Sequence, residues 1–283
     1  MNRHIVTTIN AVATSDGDGV KISRSIGSHF LPQLDPFLLL DELKSEEAAD
    51  YIGGFPPHPH RGFETVTYML EGQIRHKDSA GNEGVVHSGD VQWMSAGSGI
   101  IHSEMPEQKQ GRLWGFQLWT NLPAEQKMRS PRYQEIASQD IPELTGDFGR
   151  LRIIAGDADG IAGPITNIAT QPLLLDLRLA PGGEKSLSLP VQHTAIVYLY
   201  RGEATVGDKS LSSQQLGHLS EGDSLQLKAG EQGAGALILA AEPLGEPIAR
   251  AGPFVMNTED ELKQAYHDYQ TGRFALVAPS SSA

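Results

Sequence analysis

Cysteine is absent from the 283 residues, which removes disulfides, thiolate metal ligands and a cysteine nucleophile together. Any metal this chain binds must therefore sit on nitrogen and oxygen. Basic residues are scarce, with 22 Lys and Arg against 35 Asp and Glu, for a formal net charge of -13. That sign is wrong for a protein that neutralises phosphates over a broad surface, so no direct contact with nucleic acid or an anionic membrane is expected. No run of Lys and Arg offers a local exception. Long apolar runs are missing too, since nothing approaches the roughly 20 apolar residues of a membrane helix. The opening MNRHIVTTINAVATSDGDG is broken by Thr7, Thr8 and Asn10 where a signal peptide is continuously apolar. Cytoplasmic residence is the expectation.

What is present is glycine and proline, 31 and 17 residues, falling between short apolar runs about ten residues apart. That is the pattern of an all-β sandwich or barrel. Thr65 to Leu70, Gln73 to Asp78, Val85 to Val86 with Val91 to Met94, and Leu113 to Trp119 read as strands. They are separated by Glu71-Gly72, Ala80-Gly81-Asn82, Ser88-Gly89-Asp90 and Ala96-Gly97-Ser98-Gly99, all turn chemistry. After the polar segment Asn121 to Gln134 the pattern resumes with Leu173 to Leu179, Ala195 to Arg201 and Ser224 to Leu227. The expected division is therefore 1–134 and 135–283.

The halves resemble each other weakly. YMLEG (Tyr68 to Gly72) lies over YLYRG (Tyr198 to Gly202), and SGDVQWMSAG (Ser88 to Gly97) over EGDSLQLKAG (Glu221 to Gly230). A repeat of that length fits two copies of one barrel rather than a solenoid. One helix is signalled near the end, where Thr258 and Glu261 form a capping box and Leu262, Ala265, Tyr266 and Tyr269 follow at helical spacing. Gly272 can terminate it. The tail from Pro279 to Ala283 is expected to fray.

The chemistry gathers in GGFPPHPHRGFETVTYMLEG (Gly53 to Gly72) and SAGSGIIHSEMP (Ser95 to Pro106). In extended chain the side chains alternate, so His58 and His60 share one side, as do His102 and Glu104. Two such pairs on facing strands can converge on one point. Pro57 and Pro59 remove ladder donors, which places the first pair at a strand start or edge. Three imidazoles and a carboxylate suit Fe(II), Mn, Ni, Cu or Zn and leave positions open on an octahedral ion. With ten histidines in the chain an H-x-H also arises by chance, and it is the second pair that gives the first its meaning. His4, His76, His87, His193, His218 and His267 lack such pairing and read as surface or hydrogen-bonded structural residues. Glu64 has the same parity as His58 and His60, so spacing leaves Glu64 and Glu104 both open as the carboxylate.

These residues resemble the cupin superfamily and, more narrowly, the pirin family. DPFLLLDE (Asp35 to Glu42), GGFPPHPHRGFETVTY (Gly53 to Tyr68), GDVQWMSAGSGIIHSEMP (Gly89 to Pro106) and GPFVMNTEDEL (Gly252 to Leu262) carry the likeness over nearly the whole chain. The resemblance implies a bicupin, two β-barrel domains in one chain with a short C-terminal helix, the first holding one metal and the second a degenerate copy without it. At the aligned positions the second half has Ser188, Pro190, Gly235 and Leu237. The resemblance further implies His58, His60, His102 and Glu104 as metal ligands, with Glu64 outside that set and iron as the usual ion.

The activity implied is dioxygen-dependent cleavage of quercetin or a related flavonol or enol. Glu104 is the candidate catalytic base, since a carboxylate that shifts from the metal can accept the proton of a metal-acidified hydroxyl. The alternative implied is an iron-binding, redox-sensing regulator that acts through protein partners. A metal-assisted isomerase or hydrolase is a third possibility, because a fold does not fix a function. A monomer is expected.

Overall fold

The computed structural model describes residues 1–274, so the expected frayed tail lies outside the described residues. Strands dominate, and the one α-helix among the described residues is Glu259–Gln270. Among the described residues no helix is long and apolar enough to cross a membrane.

The chain forms two compact units, and neither is contiguous. One comprises Met1–Val12, Arg24–Pro36 and Gln139–Pro243, and the other Ala13–Ser23, Phe37–Ser138 and the chain from Leu244 onward. A single cut after residue 134 therefore does not describe the chain. The strand Ile5–Asn10 pairs with Gln215–Leu219, far along the sequence, because an edge strand takes its partner from whatever chain satisfies its backbone groups. The segment Asn121 to Gln134, expected as the connection, belongs to the second-named unit. Its Lys127 is buried and donates to Gly62 O (2.8 Å), Asn121 Oδ1 (2.6 Å) and Val255 O (3.1 Å). Polar composition there reflects an internal tether rather than a solvated linker.

The unit that carries residues 139–243 is built on a nine-stranded antiparallel sheet. Leu173–Leu179 runs as expected, while Thr194–Val206 and Ser224–Ala241 extend well beyond the stretches legible in the sequence. Inside lies an aliphatic core that includes Leu151, Leu175, Leu177, Val197, Leu225 and Ile238. Ser188 and Pro190 are exposed. Leu237 is buried, and a Cβ at Gly235 would come within 2.4 Å of the Tyr200 ring. None of the four offers a strong metal donor.

The other unit contains a four-stranded sheet, in the order Phe55–His60, Ile100–Pro106, Ile74–Asp78, Glu83–Val86. A seven-stranded sheet runs Arg132–Ile136, Val91–Ser95, Phe63–Glu71, Leu113–Asn121, Phe37–Ser45, Val20–Ile26, Val12–Asp16. Phe63–Glu71 is buried along almost its full length, as a strand covered on both faces must be. Its Thr65, Thr67 and Met69 point one way and Glu64, Val66 and Tyr68 the other.

The C-terminal segment completes this unit. Val255 N donates to Arg61 O (3.0 Å), and the Arg61 guanidinium donates to Ser98 O (2.6 Å) and Asp268 Oδ2 (2.9 Å). The helix has its capping box, since Thr258 Oγ1 accepts from Glu261 N (3.2 Å) and Glu261 Oε2 from Thr258 N (2.9 Å). Leu262 and Ala265 are buried, while Tyr266 and Tyr269 pack their rings against Phe254 and remain partly exposed.

Candidate metal centre

Phe55–His60 lies at the edge of its sheet and, among the described strands, pairs only with Ile100–Pro106. Pro57 and Pro59 are tolerated there because an edge strand needs fewer ladder donors. The register sets His102 opposite His58 and Ile100 opposite His60. Residues opposite each other in an antiparallel pair share a face, so the three imidazoles meet on the inner side. Their ring centroids are 4.4 Å (His58 to His102), 4.6 Å (His58 to His60) and 4.8 Å (His60 to His102) apart. One nitrogen from each ring lies within 4.8 Å of the others.

The fit to a metal can be read from individual nitrogens. His58 Nε2 and His60 Nε2 are 3.0 Å apart, and two nitrogens each about 2.1 Å from one ion and at right angles would be separated by about 3.0 Å. His58 Nδ1 donates to Pro56 O at 2.8 Å, so Nε2 is the nitrogen of that ring open to an ion. His102 Nε2 is buried with no hydrogen-bond partner among the described residues. An orphaned buried nitrogen is costly, and an ion would satisfy it. Burial, reinforced by the neighbouring imidazoles, holds both His60 and His102 well below the usual histidine pKa. They are therefore neutral near pH 7, the form that ligates metals.

Glu104 is buried but stands outside this convergent group of three. Its Oε1 accepts from Thr67 Oγ1 (2.7 Å) and its Oε2 from Gln117 Nε2 (2.8 Å). Thr67 and Gln117 face each other across neighbouring strands of the opposing sheet, so the carboxylate bridges the two sheets. A pairing irregularity falls between His102 and Glu104 along the edge strand. On the other side the register is regular, with Asp78 opposite His102 and His76 opposite Glu104.

Glu64 goes elsewhere. The strand bearing the first two histidines ends at His60 and the next begins at Phe63. Between them Gly62 has φ +87°, and a Cβ there would lie 2.0 Å from Val255 O. The break ends the alternation, so Glu64 faces Trp93 Nε1 (3.0 Å), Ser95 Oγ and the Arg129 guanidinium. Burial raises its pKa, although Ser95, Arg129 and Trp93 oppose the shift.

Four residues at the centre escaped the sequence reading: Thr67, Gln117, His76 and Asp78. The first two sit in runs that read simply as strand. His76 was grouped with structural histidines, and its buried place against His102, Nδ1 to Nδ1 at 3.4 Å, depends on strand pairing that composition does not reveal. Burial opposes ionisation of Asp78, yet hydrogen bonds from His76 and Asn82 outweigh it and hold the carboxyl below the ordinary aspartate range.

A sequence model described as Pirin matches residues 19–120, and one described as Pirin C-terminal cupin domain matches residues 174–275. A Vibrio cholerae protein whose name gives quercetin 2,3-dioxygenase as a provisional activity is 46% identical over 96% of this chain and 98% of its own length. A Caulobacter vibrioides pirin-like protein is 45% identical over 96% of this chain and 99% of its own. Among solved structures, an Acinetobacter baumannii quercetin 2,3-dioxygenase superposes with a TM-score of 0.89 at 34% identity, covering 98% of this chain and all (100%) of that one. With two cupin domains, a histidine triad inside one of them and relatives matched end to end, this chain belongs to the pirin family.

Proposed function

We propose that this chain is a metal-dependent dioxygenase that cleaves quercetin or a related flavonol. The observation that carries the reading is the convergence of three imidazoles, two of them buried, one of which leaves its Nε2, on His102, without a partner among the described residues. His58, His60 and His102 would hold one Fe(II) ion per chain, with Glu104 completing the donor set. Each Glu104 oxygen keeps a second lone pair beyond the bond it accepts. Nitrogen and oxygen donors of this kind also accept Mn, Ni, Cu or Zn. The likeness to the Acinetobacter baumannii dioxygenase supports the choice of substrate.

When bound, such an ion lowers the pKa of a coordinated hydroxyl and supplies an electron-exchange centre for dioxygen. The protein's own part is to position and deprotonate. Glu104 takes the flavonol hydroxyl proton as the substrate docks, and Thr67 and Gln117 orient its carboxylate by donating to its two oxygens. Both atoms of dioxygen enter the organic product, one ring carbon leaves as carbon monoxide, and the proton returns to the product.

The test uses protein loaded with iron without air, mixed with quercetin and then exposed to dioxygen. Loss of the flavonol absorbance together with carbon monoxide release is expected. Glu104→Ala at equal iron content should be at least about 100-fold slower, the usual contribution of a placed base. Wild-type protein at full iron occupancy that bleaches no faster than free iron would overturn the reading and favour a regulatory role.

A further inference from the structure

Behind His102 lies a second buried pair that the proposed chemistry does not use. His76 and Asp78 both have side-chain exposures of 0%, and His76 Nε2 is 3.1 Å from Asp78 Oδ2. Asp78 receives three further donors, with Oδ1 accepting from Ala80 N (2.9 Å) and Asn82 N (3.0 Å) and Oδ2 from Asn82 Nδ2 (2.9 Å). A carboxylate surrounded by donors is an acceptor only, so the hydrogen between it and His76 resides on His76 Nε2. Its other nitrogen, Nδ1, faces His102. The atom 3.4 Å from it is His102 Nδ1, and with His76 singly protonated on Nε2 the hydrogen of that contact belongs to His102. That arrangement leaves His102 Nε2, which has no hydrogen-bond partner among the described residues, as the ring's bare nitrogen, on a ring whose centroid is 4.4 Å from that of His58 and 4.8 Å from that of His60. The ring of Tyr133, 5.0 Å from that of His76, packs against the pair.

We propose that His76 and Asp78 are positioning residues that fix the proton of His102 on Nδ1 and so present Nε2 to an ion held with His58 and His60. The inference rests on the reading of that triad as a metal site. The opposite tautomer would place an N–H on His102 Nε2 and block a lone pair the ion needs. Partners of this kind, which donate to or accept from a ligand's far nitrogen, typically change metal affinity by about 10–100-fold when removed. Asn at position 76 offers an oxygen close to where Nδ1 stands, whereas Leu offers no acceptor.

The first measurement is a long-range proton–nitrogen correlation spectrum of the metal-free, histidine-labelled chain. His102 should show the Nδ1–H tautomer and His76 the Nε2–H tautomer, and an Nε2–H tautomer at His102 would overturn the proposal. The second is Zn(II) affinity by chelator competition. His76→Leu should bind about 10–100-fold more weakly, and His76→Asn should recover most of the loss. Equal affinity in wild type and His76→Leu would also overturn it. If His76→Leu does not fold, the wild-type tautomers and His76→Asn still decide. A wild-type chain that binds no Zn(II) would sink the triad's reading as a metal centre, while the tautomers would still judge the role of His76.

Discussion

His58 and His102 stand directly opposite each other on paired antiparallel strands, their ring centroids 4.4 Å apart. The pairing makes the centre a property of strand register rather than of a loop. His58→Ala or His102→Ala should therefore abolish tight metal binding and leave the fold intact, because each ring sits on a ladder whose backbone bonds remain. The loss should exceed the roughly 10–100-fold typical of a residue behind the ligands. Metal content after gel filtration, with circular dichroism as the control for folding, checks this.

The two candidate carboxylates should separate cleanly. Glu64→Gln removes the charge that faces Arg129 in a buried cluster and should destabilise the protein by about 1–3 kcal/mol without changing metal stoichiometry. Glu104→Gln should lower metal occupancy more than Glu64→Gln does. The reverse order, read by denaturant unfolding and metal analysis on both variants, would transfer the ligand role to Glu64.

Lys127 gives a pH signature. Burial lowers its pKa from 10.5 to about 8, so in the window between those values the unfolded chain binds more protons than the folded one. Stability from this group is then fully present above the unfolded value and lost as pH falls through about 8. The size is at most about 3 kcal/mol. Comparison of wild type with Lys127→Met should show a steeper rise of unfolding free energy from pH 8 to 10.5 in wild type. Parallel curves would show that Lys127 does not titrate in that range.

Metal binding to the folded chain alone should raise its melting temperature, by an amount equivalent to about 2.7 kcal/mol at a free-ion concentration 100 times the dissociation constant. Chelation should reverse the rise, and His60→Ala should show none of it. A thermal melt with and without metal reads the effect. Identical rises in wild type and His60→Ala would place the ion elsewhere.

Alternation made much of the centre legible. His58, His60 and His102 converge as the two-residue repeat of extended chain allows, and the capping box at Thr258 is a local signal that holds in the structure. What stayed hidden depends on pairing or on breaks. Glu64 had the right parity, but the left-handed turn at Gly62 resets it. His76 becomes significant only when Ile74–Asp78 lies beside Ile100–Pro106. The buried role of Lys127, inside the polar segment Asn121 to Gln134, is hidden because its oxygen partners at Gly62 and Val255 are 65 and 128 residues away. The exchange of chain ends between the two units is invisible for the same reason, since Ile5 finds its place against Leu219.

The most direct measurement is a crystal of the chain loaded anaerobically with Fe(II), with diffraction collected on both sides of the iron absorption edge. One anomalous peak per chain is expected, within bonding distance of the Nε2 atoms of His58, His60 and His102. Two peaks per chain, or a single peak away from those three nitrogens, would contradict the metal centre on which the proposed chemistry stands.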